Sequence, residues 1–192
     1  MKTVIFCDQQ STDFLARDLR GLVSAAVQSL SADGDVSVVT LKGDELAPCR
    51  GCFHCWVKTP GLCVMTNDAA NAIAAQFVQA NVVIVLSEVC YGGFSYDIKA
   101  FLDRMIPLLS PFFEVYENEM HHKLRYESFP VMAFIGYGDC TPGEQQTFRE
   151  LADRNALNLR PPKHVVFTVK ELSEMDKMIS GLRELLSGEA KP

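Results

Sequence analysis

Stretches of apolar residues alternate along the chain with segments in which apolar and polar positions follow a helical period. Five short stretches have the composition of β-strands, at residues 3–7, 36–41, 82–86, 131–137 and 165–169. The third is an unbroken β-branched run, which is typical of a strand buried on both faces. The second alternates in part, which favours a place nearer the edge of a sheet.

Helical patterns fall between these stretches, and several begin at recognisable capping residues. Ser11 or Thr12 can cap the first helix, and Ser95 can cap another. Thr141 and Glu144 form a capping box, with proline at the first helical position between them. Because parallel neighbours need crossover helices, this alternation predicts an α/β fold whose five-stranded parallel sheet is covered by helices on both faces.

One segment fits neither pattern. The chain has 192 residues, and we expect a single domain over residues 1–192. Residues 110–129, approximately, are predicted to be an irregular insertion that contains Phe112, Phe113, His121 and His122. An insertion of this length is more often functional or interfacial than a plain connector.

Composition and charge exclude several classes of partner. The net charge is −6 with no basic stripe, so we expect no nucleic-acid partner. No apolar run is long enough to span a bilayer, and the N-terminal apolar run is too short for a signal sequence. We therefore predict a cytoplasmic protein with no membrane partner. In that compartment clustered cysteines indicate metal or redox ligands more readily than disulfides.

Four of the seven cysteines lie within fifteen residues, with the spacing C-x2-C-x2-C-x7-C. They are Cys49, Cys52, Cys55 and Cys63. The first three can surround one small soft object, and the fourth can close the site after a Pro-Gly turn. A thiolate-bound centre is therefore the first hypothesis, and an iron–sulfur cluster fits the softness of the ligands.

Two other interpretations of the cysteines stay open. Zinc sites usually take two separated pairs of ligands, whereas here three ligands crowd into one run. His54 is a further candidate zinc ligand, although it would have to displace the adjacent Cys55. Packed or free thiols, or disulfides, are the third interpretation, because spacing alone does not establish occupancy.

A second candidate site lies at the edge of the predicted sheet. Ligands of open parallel sheets bind beyond the carboxyl ends of the strands, where the strand order reverses. The first loop opens a helix, so its N–H groups and the hydroxyls of Ser11 and Thr12 can hold a phosphate. Tyr91-Gly92-Gly93-Phe94 and Tyr137-Gly138 offer aromatic faces and backbone that can approach a flat ring. A phosphate seat with ring-facing loops suits FMN, although each glycine taken singly is explained by a turn.

Two runs of residues resemble a known family. Pro48-Cys-x-Gly-Cys-x-x-Cys followed by Pro-Gly-x-Cys resembles the flavodoxin-like NAD(P)H-dependent FMN reductase and iron–sulfur flavoprotein family. Tyr91-Gly-Gly-Phe-Ser95 followed by Lys99-Ala-Phe-Leu-Asp-Arg104 resembles it as well. The resemblance implies a flavodoxin-like three-layer sandwich with strand order 2-1-3-4-5, FMN as prosthetic group or substrate, and NAD(P)H as a candidate donor.

The resemblance also implies site residues and partners. A [4Fe–4S] cluster would be held by Cys49, Cys52, Cys55 and Cys63. Ser11 and Thr12 would contact the FMN phosphate. The flavin ring would be held by Val89, Cys90, Tyr91, Gly92, Gly93, Phe94, Ser95, Tyr137 and Gly138. No residue is assigned a catalytic role. The expected partners are small-molecule or protein electron donors and acceptors, and copies of the chain itself in a homo-oligomer.

The chain departs from the family pattern in two places. Its first loop begins Asp8-Gln9-Gln10, where members commonly have a Gly-Ser-x-Arg type of sequence, and a carboxylate there would repel a phosphate. Glu88 adds a second negative charge near the expected flavin. The first hypothesis is therefore an FMN-dependent oxidoreductase or electron-transfer flavoprotein. The alternative is a flavin-free binding or redox/metal-sensing module on the same scaffold.

Charged side chains outside these motifs have simpler interpretations. Lys99 and Arg104 are predicted to form ion pairs on a helix surface with aspartates of the same helix. His121 and His122 are predicted to be exposed to solvent. None of these four side chains is therefore expected to shape a site.

Overall fold

The structure is a computed structural model that describes residues 1–9, 14–30, 35–42 and 45–187. Ser11 and Thr12, which are predicted to cap the first helix and to contact a phosphate, lie outside the described residues. The strands are β1 (Lys2–Asp8), β2 (Asp35–Leu41), β3 (Val82–Cys90), β4 (Gly93–Phe94), β5 (Leu109–Tyr116), β6 (Glu119–Leu124), β7 (Val131–Tyr137) and β8 (His164–Val169). The helices are α1 (Phe14–Leu30), α2 (His54–Val57), α3 (Ala70–Gln79), α4 (Tyr96–Asp103), α5 (Pro142–Leu159) and α6 (Met175–Leu186).

Five parallel strands form the main sheet, in the order β2-β1-β3-β7-β8. Counted among these five strands alone, the order is 2-1-3-4-5, so the predicted flavodoxin-like topology is confirmed. The short strand β4 pairs antiparallel with the end of β3. Strands β1 and β7 are buried over almost their whole length, whereas β2 has exposed positions. This contrast agrees with the partly alternating pattern of the second strand.

Helices cover both faces of the sheet. Ile5 and Cys7 of β1 point into a core shared with α1 and α6. Val4 and Phe6 point to the other face, into a core shared with α3, α4 and α5. Since successive side chains of a strand point to opposite faces, one strand serves both cores. The predicted three-layer sandwich is confirmed.

The helix starts follow local sequence signals. At the start of α5, Thr141 Oγ1 accepts a hydrogen bond from the Glu144 N–H at 3.3 Å, and the Glu144 carboxylate accepts from the Thr141 N–H at 2.8 Å. The predicted capping box is therefore confirmed. Ser95 does precede α4, but its hydroxyl makes no capping bond. None of the described helices is long and apolar enough to cross a membrane.

The segment predicted to be irregular at about residues 110–129 forms a β-hairpin, so that prediction is wrong. Strands β5 and β6 pair antiparallel around a turn at Glu117 and Asn118, whose φ angles are 49° and 63°. The pairing register shifts between Leu109 and Phe113. This shift, together with Pro111, interrupts the alternation by which a strand is recognised in a sequence.

The two faces of the hairpin have different surroundings. Arg160, at the end of α5, forms an ion pair with Glu114 at 2.5 Å and lies 4.2 Å from the centre of the Tyr116 ring. These contacts fix one face against α5. The opposite face presents exposed apolar side chains, namely Phe113, Val115 and Met120.

Candidate functional site

The carboxyl ends of β1, β3 and β7 meet around one buried carboxylate. Asp8 is 1% exposed and accepts a hydrogen bond from the Tyr137 hydroxyl at 2.5 Å and from the Glu88 N–H at 2.7 Å. Next along the chain, the Gln9 N–H donates to the Asp97 carboxylate at 3.1 Å. The Asp8 side chain therefore ties three strand ends together, and its effect on a phosphate seat stays a prediction.

A tight turn between β3 and β4 carries the centre of the predicted ring-binding segment. Tyr91 and Gly92 form this turn with φ angles of 52° and 79°. A side chain in place of Gly92 would bring its Cβ to 2.8 Å from Thr147 Cβ, and the positive φ itself favours glycine. The turn leaves the Tyr91 side chain 97% exposed. An uncovered aromatic ring therefore stands at the carboxyl edge of the sheet.

The other predicted ring-binding residues lie at the same edge but differ in accessibility. The half-buried ones are Val89, Cys90, Gly93 and Gly138, and the buried ones are Gly92, Phe94, Ser95 and Tyr137. The Ser95 N–H donates to the Ser87 hydroxyl at 2.9 Å, whereas the Ser95 hydroxyl is buried without a hydrogen-bond partner among the described residues. Contact of these residues with a flavin stays a prediction.

Two cysteines near this edge are poorly suited to nucleophilic chemistry. Burial raises the pKa of the Cys90 thiol, and the negative charges of Glu88 and Asp8 raise it further. Burial also raises the pKa of Cys7, although hydrogen bonds from Thr40 and Arg20 oppose the rise. Since the thiolate is the reactive species, a raised pKa disfavours nucleophilic chemistry at both thiols.

The four clustered cysteines converge on one hollow of about 300 Å³. They belong to residues 48–66, here called the cysteine loop, and the hollow is called the cysteine hollow. Cys55 is buried, Cys63 is half-buried, and Cys49 and Cys52 are exposed. All four are free thiols. Disulfides, one of the interpretations that the sequence leaves open, are not formed in this described loop, and the four cysteines that the spacing groups together line the same hollow.

Contacts from other elements hold the cysteine loop in this shape. The Trp56 indole N–H lies 3.1 Å from the Leu109 carbonyl and 3.3 Å from that of Ile106. Asn71 of α3 bonds both the N–H and the carbonyl of Cys63, at 2.8 and 2.9 Å. Gly51 has a φ of 63°, which lets the backbone bend between the first two cysteines.

The cysteine sulfurs are close enough to influence one another. Burial raises the pKa of the Cys55 thiol, and the charges of Cys63, Cys49 and Cys52 raise it further. No three His, Cys, Asp or Glu side chains in the described parts of the chain form a ready-made site for a single metal ion. All four cysteines nevertheless line the cysteine hollow.

Arg104 contradicts its sequence-based prediction. It is 2% exposed, and it pairs with Asp68 from a different segment rather than with an aspartate of its own helix. Arg104 and Cys63 both line the cysteine hollow. Lys99 does form the predicted ion pair, with Asp103 at 2.5 Å. In the sequence Arg104 stands out only as the end of the run Lys99-Ala-Phe-Leu-Asp-Arg104, and nothing there pairs it with Asp68, which is 36 residues away.

The adjacent histidines are also less exposed than predicted. His121 is 6% exposed, with Nδ1 3.1 Å from the Asn158 side-chain oxygen. The His122 ring lies 4.8 Å from that of Trp56 and 4.4 Å from that of Phe113. The hairpin therefore packs against the cysteine loop through His122, a contact that sequence spacing gives no means of finding.

Comparisons with known proteins agree with this architecture. No protein-family model matches the chain. An iron–sulfur flavoprotein of Methanocaldococcus jannaschii is 33% identical over 88 residues, which cover 45% of this chain and 44% of that protein. The match therefore spans less than half the length of that relative.

Solved structures resemble the chain over its whole length. An FMN-dependent NADH-azoreductase from Bacillus anthracis, solved in complex with FMN, superposes with a TM-score of 0.65, 13% identity and 100% coverage of both chains. Oxidised flavodoxin 1 from Bacillus cereus superposes with a TM-score of 0.59, 9% identity and 100% coverage of both chains. At such low identity these matches establish the fold alone. The chain thus has a flavodoxin-like fold, and the predicted resemblance to an iron–sulfur flavoprotein is confirmed over the 88 matched residues.

Proposed function

We propose that this protein is an FMN-dependent, NAD(P)H-linked oxidoreductase or electron-transfer flavoprotein that also carries a [4Fe–4S] cluster. The observation that supports the proposal best is the convergence of Cys49, Cys52, Cys55 and Cys63 on one hollow of about 300 Å³. These four thiols lie on a flavodoxin-like scaffold, and an iron–sulfur flavoprotein is among its relatives. The acceptor is a small molecule or a protein electron carrier.

The carboxyl edge of the sheet fits a flavin. Tyr91 presents an uncovered ring there, and the buried Ser95 hydroxyl has no hydrogen-bond partner among the described residues. The Asp8 carboxylate is turned away into hydrogen bonds with Tyr137 and Glu88. Residues 89–95 with Tyr137 and Gly138 would hold the ring, and Ser11 and Thr12 would contact the phosphate. When bound, FMN supplies the exchange of electrons with the nicotinamide and the acceptor.

The cysteine hollow fits an iron–sulfur cluster better than zinc. A zinc ion lies about 2.3 Å from each thiolate sulfur, which requires the sulfurs to close tightly around one point. Here the sulfurs line about 300 Å³, and no group of three candidate ligands in the described residues is set for one ion. A cluster with several iron and sulfide atoms occupies a larger volume between four thiolates. When bound, it supplies one-electron exchange.

We also propose that the protein is a homo-oligomer that buries the apolar face of its hairpin against a second copy. Phe113, Val115 and Met120 are 59%, 71% and 66% exposed on that face. The same surface continues through His122 to Trp56 of the cysteine loop. Size-exclusion chromatography with light scattering tests this proposal. The variant Val115→Lys should have a lower molecular mass in solution than the wild type. An unchanged mass for that variant contradicts it.

Spectroscopy and metal analysis of protein purified without oxygen test the cofactors. We expect flavin absorbance with a broad brown shoulder, and stoichiometric FMN, iron and sulfide. Cys55→Ser should lose iron and sulfide while keeping FMN. Cys140→Ser is the matched control, because Cys140 is also buried but lies outside the cysteine hollow.

The other outcomes of this experiment are equally informative. A brown protein without flavin absorbance would support the cluster and contradict the proposal that the protein binds FMN. A colourless protein that fails to take up added FMN would favour the flavin-free binding or sensing module. Activity is then assayed as oxidation of NADH or NADPH with a quinone or azo dye as acceptor, and FMN-loaded protein that oxidises neither refutes the nicotinamide donor.

A further inference from the structure

A buried guanidinium borders the cysteine hollow. Arg104 follows directly after α4 and is one of the largest fully buried side chains among the described residues. Together with Met65, Ile106 and Pro107 it lines the hollow alongside the four cysteines. Arginine is almost never fully buried unless it is paired. Its place here therefore requires a specific partner.

Asp68 and two carbonyls hold this guanidinium from behind. Nη1 lies 2.7 Å from Asp68 Oδ2 and 2.5 Å from the Ala47 carbonyl. Nη2 lies 3.1 Å from Asp68 Oδ1 and 3.5 Å from the Met65 carbonyl. This two-pronged pairing fixes the plane of the guanidinium. The Arg104 Nε donor is buried without a hydrogen-bond partner among the described residues.

The guanidinium stands between its counter-ion and the hollow. Arg104 lines the hollow, whereas Asp68 is not among its lining residues. Burial lowers the pKa of Arg104, but hydrogen bonding to Asp68 and the nearby Cys63 together raise it above its usual value. Asp103 also lines the hollow, but its carboxylate is exposed and paired with Lys99. Of the charged side chains that line the hollow, Arg104 is the buried one, and its charge is positive.

We propose that Arg104 is a positioning residue that sets the electrostatic potential of the cysteine hollow and thereby raises the reduction potential of a cluster held there. The inference rests on the proposed function, which places a [4Fe–4S] cluster on the four cysteines. Taking up one electron adds one negative charge to a group that four thiolates already make negative. A cation fixed in a poorly solvated wall stabilises that added charge more strongly than a solvated one.

Asp68 adjusts the size of this effect. Its carboxylate partly cancels the guanidinium charge as seen from the hollow, but it lies farther away. Removing the carboxylate while keeping Arg104 should therefore raise the potential, and removing both charges should lower it. Two substitutions at one ion pair thus give shifts of opposite sign, which a loss of packing alone would not produce.

Redox titration of the purified holoprotein, followed by visible absorbance and electron paramagnetic resonance, tests the proposal. We expect Asp68→Asn to raise the midpoint potential of the cluster above that of the wild type, and Arg104→Gln/Asp68→Asn to lower it below that of the wild type. The expected separation is at least tenfold in the one-electron equilibrium constant, which corresponds to about 59 mV. Arg104→Lys should stay near the wild type, because it keeps the charge.

Arg50→Gln is the matched control. Arg50 also lines the cysteine hollow, but its side chain is exposed and its charge is screened by water. The cluster in Arg50→Gln should have the same midpoint potential as the cluster in the wild type. Iron and sulfide content and circular dichroism are measured for every variant. Where Arg104→Gln/Asp68→Asn does not fold, Arg104→Met/Asp68→Leu takes its place, since apolar replacement of a buried ion pair is often tolerated.

The outcomes separate this inference from the proposed function. A wild-type protein that takes up no iron and sulfide overturns the cluster and, with it, this role of Arg104. A wild-type protein that holds a cluster, with the same potential in Asp68→Asn and in the double variant, overturns the role of Arg104 alone. Loss of stability in these variants without any change in potential would likewise mean that the pair is only structural.

Discussion

The carboxyl edge of the sheet and the cysteine loop are held in place by different kinds of contact. At the carboxyl edge, parallel backbone pairing positions the strand ends, and Asp8 then links β1, β3 and β7 through two hydrogen bonds. The cysteine loop contains only the four-residue helix α2. Its shape depends on single side chains, chiefly Trp56, Asn71 and Arg104, the last through the Met65 carbonyl.

The two regions should therefore respond differently to mutation. In a parallel sheet buried on both faces, many backbone hydrogen bonds hold each strand in place. The carboxyl edge should therefore keep its geometry when one side-chain contact is removed. A loop that has no backbone hydrogen bonds of a β-sheet loses its geometry when one of the side chains that hold it is removed. Substitutions at the two regions should therefore separate global stability from local order.

The largest effect is expected where an anchor of the cysteine loop is also a buried charge. Arg104→Met leaves Asp68 buried without its counter-ion, since the two side chains are only 1% and 4% exposed. We expect a loss of about 3–5 kcal/mol in the free energy of unfolding, measured by urea denaturation. Arg104→Met/Asp68→Leu should recover most of it.

An exposed ion pair provides the control for this prediction. Lys99 and Asp103 are 57% and 48% exposed, so Lys99→Met should change the unfolding free energy by less than about 1 kcal/mol. Equal effects of Arg104→Met and Lys99→Met would contradict the buried role of Arg104.

The same pair makes stability depend on pH. Burial raises the pKa of Asp68, but hydrogen bonds from Arg104 and from the N–H groups of Ala70 and Ala47 outweigh it, so the folded-state pKa lies below the usual value. A carboxyl with a depressed folded-state pKa contributes stability that is fully present above the unfolded-state pKa of about 3.9. That contribution is lost as the pH falls through the folded-state pKa.

Urea denaturation from pH 7 to pH 2 measures this contribution. The wild type should lose stability below about pH 4, and Asp68→Asn should lose less over the same interval, because an amide does not titrate there. Parallel curves for the two proteins would show that pairing does not depress the folded-state pKa of Asp68.

A smaller global effect is expected at the carboxyl edge. Tyr137→Phe removes the donor to Asp8 and leaves one oxygen of a buried carboxylate without that partner. We expect a loss of about 1–3 kcal/mol in the free energy of unfolding. Tyr91→Phe is the control: its side chain is 97% exposed, so its change should stay within about 0.5 kcal/mol. A Tyr137→Phe protein as stable as Tyr91→Phe would show that backbone pairing alone fixes this edge.

The sequence predicted the sheet well because strands and crossover helices have periods that a single chain displays. The unbroken run of β3 and the capping box of α5 both depend on neighbours within a few residues. The hairpin was missed for the opposite reason, because its register shift and Pro111 interrupt the alternation. Local order is therefore visible in the sequence only where it follows a regular period.

The candidate sites were predictable in membership but not in surroundings. Spacing identified the four cysteines as one group, and all four line one hollow. Nothing in the sequence pairs Arg104 with Asp68 or Asp8 with Tyr137, because these contacts join residues 36 and 129 positions apart. Such long-range pairs decide whether a carboxylate or a guanidinium faces a ligand or the protein interior.

The smallest expected effect on global stability, and the most local, is at the anchor of the cysteine loop. Trp56→Phe keeps an aromatic ring beside Phe53 and His122 but removes the indole N–H that faces the Leu109 and Ile106 carbonyls. A typical hydrogen bond contributes about 1 kcal/mol, so the loop should open roughly fivefold more often. Native-state hydrogen exchange of the cysteine loop measures this opening. Val57→Ala, in the same short helix but 71% exposed, should leave it unchanged.

Because the β-ladder does not include this loop, exchange in β3 and β7 should stay at the wild-type rate in both variants. Faster exchange throughout the sheet of Trp56→Phe would instead mean that the loop and the carboxyl edge unfold as one unit.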